Sequence, residues 1–191
     1  MNIKTTLNIK PGAVALMALM AATRFHHFGT AFSLPDASLA VFFLAGLYLG
    51  GRYLFLTLLL EAGLIDYLAI SQFGVSDFCV SQAYVFLVPT YAAMWLGGKY
   101  CAKFQLWSTA SSARQFAALI AATSSAFLIS NGSFYLLSGR YPEASWAQYI
   151  ERFGMYYPPY LTSTLIYAVV IIGLVYAVKN GLFGKNSREA I

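Results

Sequence analysis

Six long apolar runs separated by short polar breaks constrain this chain more than any other feature of its sequence. Apolar residues make up 59% of the 191 positions, charged residues only 10%, and the mean hydropathy is +0.64. A single water-soluble core of this size cannot bury so much apolar surface, whereas a bilayer can cover it. The sequence therefore predicts an all-α integral membrane protein, with one domain over residues 1–191 and six transmembrane helices.

Each apolar run is close to the length that crosses a hydrocarbon core of about 30 Å. The predicted helices are 11–28, 35–50, 53–70, 80–97, 114–137 and 158–178. Three prolines suit a first helical turn, where the missing N–H is no loss: Pro11, Pro35 and Pro159. Two glycine pairs are expected at helix ends: Gly50-Gly51 and Gly97-Gly98. The aromatic-rich connection 138–158 is expected to form a lid over one end of the bundle.

Basic residues are unevenly shared between the two ends of these helices. One side holds Lys4, Lys10, Arg52, Lys99, Lys103, Arg114, Lys179, Lys185 and Arg188, and the other holds Arg24, Arg140 and Arg152. Because cytoplasmic loops carry the excess of Lys and Arg, both termini are predicted to be cytoplasmic. A cleavable signal peptide is the alternative for the first run, but cleavage near Ala22 would disturb this asymmetry. The basic residues are scattered singly, which argues against nucleic acid as a partner.

The opposite, outward side collects most of the polar chemistry. Its polar and aromatic residues are Arg24, His26, His27, Asp36, Asp66, Asp77, Cys79, Tyr84, Arg140, Glu143, Trp146, Glu151, Arg152, Tyr156 and Tyr157. A concave polar and aromatic mouth above an apolar bundle is what a pocket for a large, partly polar ligand needs. The alternative is that loops are simply polar, which would explain part of the same pattern.

Cys79 is the most distinctive of these residues, because it lies in a polar break between the third and fourth helices. Cys101 lies 22 residues further along, which corresponds to about 33 Å if the intervening residues are helical. A disulfide requires Cα atoms within about 7 Å, so Cys79 is predicted to be a free thiol. Such a thiol can ligate a metal.

Other candidate residues have both a binding and a structural interpretation. His26 and His27 are adjacent, so on a continuing helix they point about 100° apart and cannot both face one ligand. Asp66, one turn from the end of the third helix, either hydrogen-bonds a ligand or caps the following loop. Glu61, in the middle of that helix, is expected to be a neutral carboxyl bonded to a neighbouring helix, with a coupling role as the alternative.

The architecture and several specific residues resemble known vitamin transporters. Two small-residue pairs allow helices to approach closely: Ala18-x-x-x-Ala22 and Gly46-x-x-x-Gly50. Chain length, six spans, cytoplasmic termini and the alanine pair resemble the S-components of energy-coupling-factor transporters. Within that group the chain resembles the BtuM family of solitary cobalamin transporters. That resemblance is carried by Arg24-Phe-His-His-Phe28, Ser33-Leu-Pro-Asp36, Asp66 and Asp77-Phe-Cys79.

This resemblance implies binding of cobalamin (vitamin B12) and its uptake across the bacterial inner membrane, from a site facing the periplasm. It implies that Cys79 is the axial ligand of the cobalt, replacing the vitamin's own base. A thiolate is a strong soft donor that becomes available when nearby cations or the metal lower the thiol pKa. Bound to cobalt(III), it would labilise the opposite ligand, so reductive decyanation of cyanocobalamin is an expected activity of Cys79.

The same resemblance implies roles for further residues. The residues expected to bind the substrate are His26, His27, Asp66, Tyr84 and Arg152. Ala18 and Ala22 are the expected docking surface for an energy-coupling module. The sequence contains no Gly-x-x-x-x-Gly-Lys-Ser/Thr motif, so the chain itself carries no phosphate-binding P-loop for ATP hydrolysis.

Two other classes of function fit parts of the sequence. One is a membrane redox protein that binds haem or quinone through His26 or His27. The other is an S-component for thiamine or riboflavin, in which Trp146 and the tyrosines form a stacking platform. Titration with cyanocobalamin, followed by visible spectroscopy, separates these classes from a cobalamin transporter.

Overall fold

A computed structural model describes residues 10–25, 34–104 and 109–179. Within these ranges the chain forms six α-helices and no β-strand. In chain order they are α1 (Pro11–Arg24), α2 (Ser38–Tyr48), α3 (Arg52–Phe73), α4 (Leu87–Cys101), α5 (Thr109–Leu137) and α6 (Trp146–Lys179). The predicted all-α class is therefore confirmed for the described part of the chain.

Among the described helices, three are long and apolar enough to cross a membrane: α3, the 111–137 part of α5, and α6. Helices α1 and α2 are apolar but shorter, with 14 and 11 residues. Leu56, Leu60 and Leu64 are exposed along α3 at intervals of four residues. This spacing places them on one face of the helix. A bilayer would cover such an apolar face, as expected of a membrane protein.

Helix α2 lies in the centre of the fold, because nearly all of its side chains are apolar and buried. It packs most extensively against α4 and also contacts α1, α3 and α6. Phe42 of α2 is fully buried and stacks on Tyr91 of α4, with ring centroids 4.2 Å apart and planes within 6°. The α2–α4 contact therefore holds Tyr91 in a fixed position at one end of the bundle.

Glycines determine how closely α2 and α4 approach each other. A Cβ at Gly46 would overlap the backbone of Trp95, and a Cβ at Gly98 would overlap the carbonyl of Phe43. The close approach expected at Gly46 is therefore present. The expectation that Gly97-Gly98 ends a helix is wrong, since both residues lie inside α4.

The fourth helix begins at Leu87 rather than at residue 80. Two short 3-10 turns, Asp77–Cys79 and Gln82–Phe86, precede it. The hydroxyls of Ser76 and Ser81 each accept a hydrogen bond from the backbone N–H two residues further on, at 3.2 and 3.3 Å. Such local side-chain bonds compete with helix formation, which explains the later start.

The last helix begins at Trp146 rather than at residue 158, so both prolines at 158 and 159 lie inside it instead of in its first turn. Its 34 residues extend about 51 Å at 1.5 Å per residue, which exceeds a hydrocarbon core of about 30 Å. The connection expected over 138–158 as a lid is consequently shortened to residues 138–145. Of that loop, Tyr141 lines the cavity described below.

Candidate functional site

Arg24, the last residue of α1, is the centre of a buried polar network. Its side chain is 3% exposed and donates hydrogen bonds to Asp36 at 3.1 Å, Asp66 at 2.7 Å and the Tyr91 hydroxyl at 2.6 Å. It also donates to a serine hydroxyl of α2 at 2.9 Å and to a backbone carbonyl of α3 at 3.2 Å. One buried guanidinium thus joins the end of α1 to α2, α3 and α4.

Asp66 connects this network to the turn before α4. The Tyr84 hydroxyl donates to Asp66 Oδ2 at 2.6 Å, and this is the same oxygen that Arg24 contacts. Burial, followed by the hydrogen bond to Asp66, raises the pKa of the Tyr84 hydroxyl, so this hydroxyl remains a donor. Asp66 therefore has a structural role in bonding Arg24 and Tyr84, in addition to facing the cavity.

A cavity of about 790 Å³ opens beside this network, at the end of the bundle where α1, α3 and α5 finish. Its walls come from all six described helices, with Leu39 from α2, and from the connections between them. Four of the predicted site residues line it: Asp66, Cys79, Tyr84 and Arg152. His26 and His27 lie outside the described residues, as does most of the Arg24-to-Phe28 segment.

Cys79 is a free thiol in the first 3-10 turn, exposed on the cavity wall. The surrounding protein removes part of the water around the sulfur, and this together with the charge of Asp66 raises the pKa of the thiol. The positive charge of Arg140 lowers the pKa of the thiol, but this effect is smaller than the combined effect of burial and Asp66. The positive charge of Arg140 therefore does not produce a thiolate here, and the Cys79 thiol stays protonated near neutral pH.

Three buried polar atoms in the cavity wall have no hydrogen-bond partner within the described part of the chain. They are Asn131 Oδ1, Arg152 Nε and Tyr160 Oη. An unpaired buried polar group costs about 1–3 kcal/mol, so a ligand that pairs with these atoms gains affinity. Sequence reasoning missed two of these residues. Asn131 could have been found as an amide inside an apolar span, whereas nothing in the sequence separates Tyr160 from the other tyrosines.

Aromatic rings hold two cations near the mouth of the cavity. The Arg152 guanidinium lies over the rings of Tyr141 and Tyr156, 4.5 and 4.9 Å from their centroids. Arg140 lies over the ring of Phe78 at 4.8 Å. The ion pairs found in the described residues all belong to Arg24, so neither of these two arginines has a carboxylate partner there.

The remaining candidates lie away from the cavity. Ala18 and Ala22 are exposed on α1. Trp146 is 81% exposed and is not part of the cavity wall, so it offers no stacking surface there. Glu61 is half-buried in α3, and its Oε2 has no hydrogen-bond partner among the described residues. The hydrogen bond expected between the Glu61 carboxyl and a neighbouring helix is therefore not found within the described residues.

Comparison with known proteins does not identify the chain. No protein-family model matches it, and no curated protein gives a significant match. The described residues contain no group of three or more His, Cys, Asp or Glu side chains arranged to hold a metal ion.

Proposed function

We propose that this chain is a BtuM-like solitary S-component that binds cobalamin and carries it across the bacterial inner membrane. In this proposal six helices cross the bilayer, both termini are cytoplasmic and the cavity faces the periplasm. The observation that carries the proposal is the position of Cys79, a free thiol in the wall of a cavity of about 790 Å³. That volume is near the upper end of the range of about 300–1,000 Å³ for ligand pockets.

Cys79 is the proposed axial ligand of the cobalt. A thiolate is a soft donor suited to a transition metal, and one thiolate suffices where the corrin ring already supplies the other ligands. The cavity wall is mostly apolar, which suits the faces of the corrin. Tyr84, Asn131 and Tyr160 supply hydroxyl and amide groups for the amide side chains at the rim of the corrin, and His26 and His27 are retained as substrate-binding residues.

The same cysteine is the proposed electron donor in decyanation of cyanocobalamin. The thiol loses its proton as sulfur bonds to cobalt(III), and cyanide leaves the opposite face with its electron pair and takes up a proton. Reduction to cobalt(II) needs one further electron, which comes from sulfur. A low-molecular-weight thiol is the co-reactant. The oxidised sulfur of Cys79 joins this thiol in a mixed disulfide and passes the second electron to a second cyanocobalamin, and exchange with another thiol restores Cys79. Overall, two low-molecular-weight thiols and two cyanocobalt(III) centres give one disulfide, two cobalt(II) centres and two molecules of hydrogen cyanide.

Movement of the substrate through the membrane requires the cavity to open towards the cytoplasm. The exposed Ala18 and Ala22 on α1 form the proposed docking surface for an energy-coupling module, because small side chains let another helix approach closely. Arg24 ties the outer end of this same helix to the cavity wall. A movement of α1 would therefore be transmitted to Asp66 and Tyr91.

Uptake by intact cells tests this function. In a cobalamin-dependent strain that lacks other importers, the chain is expected to support growth on low cyanocobalamin. Cys101→Ala removes the other free thiol, which is buried near the opposite end of α4, and is expected to leave growth unchanged. Failure of the wild-type chain to support growth, although it is present in the membrane, would contradict the proposed transport.

Binding to purified protein separates the alternatives. A cobalamin transporter shifts the visible spectrum of cyanocobalamin through Cys79. A protein that instead purifies with haem, and loses it when His26 or His27 is replaced, would be a redox protein. Binding of thiamine or riboflavin with no response to cyanocobalamin would assign the chain to another vitamin.

A further inference from the structure

Arg152 is a cation in the cavity wall whose charge no described carboxylate neutralises. Its Nε is buried and has no hydrogen-bond partner within the described ranges. Arg24 lines the same cavity, but its guanidinium already pairs with Asp36 and Asp66. Arg152 is therefore the arginine of the described wall that a ligand can pair with.

Two tyrosines fix the orientation of this guanidinium. The rings of Tyr141 and Tyr156 lie 4.5 and 4.9 Å from it, and such cation–π contacts restrict the side chain without using its N–H donors. A planar guanidinium with its donors free matches the oxygen pair of a phosphate or carboxylate. Arg140, over Phe78 on the rim, adds positive charge near the same mouth.

We infer that Arg152 forms an anion subsite that binds a phosphodiester, so that the ligand is held at two points, with its metal at Cys79 and its phosphate at Arg152. This inference rests on the proposed function. Cobalamin carries one phosphodiester in its nucleotide loop, whereas cobinamide has the same corrin without the nucleotide. Among the described arginines that line the cavity wall, Arg152 alone has no carboxylate partner, and its one positive charge suits that single negative charge.

The test compares the affinities of purified full-length protein for cobalamin and cobinamide. Arg152→Gln is expected to weaken cobalamin binding by about tenfold or more, because one charge-assisted hydrogen bond is lost. Cobinamide binding should change by less than about twofold, since it has no phosphate to lose. Arg152→Lys should recover part of the loss, because charge is kept but the planar donor pair is not.

Arg52→Gln is the matched control. Arg52 also lies over a tyrosine ring, at 5.0 Å, but it is exposed at the opposite end of α3 and does not line the cavity. This variant should bind both corrinoids like the wild type. Equal weakening of both corrinoids by Arg152→Gln would overturn the phosphate subsite and leave the proposed function standing.

Wild-type protein alone also decides the question if the Arg152 variants do not fold. Salt screens a charge pair, so cobalamin affinity should fall more steeply with ionic strength than cobinamide affinity. Identical salt dependence for the two corrinoids would overturn the subsite. Failure of the wild type to bind either corrinoid would overturn the proposed function. It would also overturn the assignment of the cobalamin phosphodiester to Arg152.

Discussion

Replacing Arg24 with methionine is expected to destabilise the fold strongly, because it removes the cation from a buried network. The side chains of Arg24 and Asp66 are 3% and 6% exposed, and they pair at 2.7 Å. Removing one partner of a buried ion pair costs about 3–5 kcal/mol, since the remaining partner loses the opposite charge beside it. Methionine retains much of the aliphatic volume, so loss of charge rather than a cavity dominates. Asp36 contributes less, because its side chain is 23% exposed and water screens it.

A double-mutant cycle assigns the cost to the buried charge. Asp66→Asn combined with Arg24→Met removes both charges, so the double variant is expected to be more stable than Arg24→Met alone. Directly contacting residues have interaction free energies of about 0.5–3 kcal/mol, and this pair belongs in the upper half of that range. If the free-energy changes of Arg24→Met and Asp66→Asn simply add in the double variant, the Asp66 carboxylate is not the reason that Arg24→Met is unstable.

Thermal unfolding of detergent-purified protein measures this prediction. For a chain of this length about 1 kcal/mol corresponds to 2–4 °C, so Arg24→Met should lower the apparent Tm by about 6–20 °C. Arg52→Met is the control, because Arg52 is exposed and its change should stay within about 0.5 kcal/mol. An Arg24→Met variant as stable as Arg52→Met would refute the reasoning.

Two further predictions follow from the cavity and from the helix contacts. The pKa of the Cys79 thiol is raised, so the proposed sulfur–cobalt bond would displace a proton. On the proposed function, apparent corrinoid affinity should therefore rise by up to about tenfold per pH unit between about pH 6 and 8. A flat profile in spectroscopic titrations would contradict this. Gly98→Ala should lower the Tm, because its Cβ would overlap the Phe43 carbonyl, whereas Gly63→Ala faces open space and should stabilise α3 by up to about 1 kcal/mol. Shifts of the same sign would contradict the packing.

The lengths of the apolar runs predicted the all-α class correctly. Local hydrogen bonding, however, placed some helix ends several residues away from the predicted positions. The run from residue 80 looks helical by composition, yet the Ser76 and Ser81 hydroxyls bond nearby backbone N–H groups and delay α4 to Leu87. In α6, the sequence pattern predicted a helix start at Pro158 and Pro159, but both residues lie well inside the helix. A proline restricts the backbone locally, and its position alone does not locate the first turn.

The candidate site could be predicted only in part, because its contacts join distant parts of the chain. Cys79, Asp66, Tyr84 and Arg152 were found as polar or aromatic residues near helix ends. The pairing of Arg24 with Asp66 spans 42 residues of sequence, so no local pattern showed that Asp66 has a buried cation as partner. The raised pKa of Cys79 likewise depends on how closely Asp66 and the surrounding protein approach the sulfur.

The visible spectrum of bound corrinoid tests most directly the central claim that Cys79 binds cobalt. Wild-type protein and the Cys101→Ala control should both shift the spectrum of cyanocobalamin. Cys79→Ala should remain folded, as judged by its thermal unfolding, and should lack the spectral change that sulfur–cobalt bonding causes. The same bound-corrinoid spectrum in Cys79→Ala and wild type would contradict the claim.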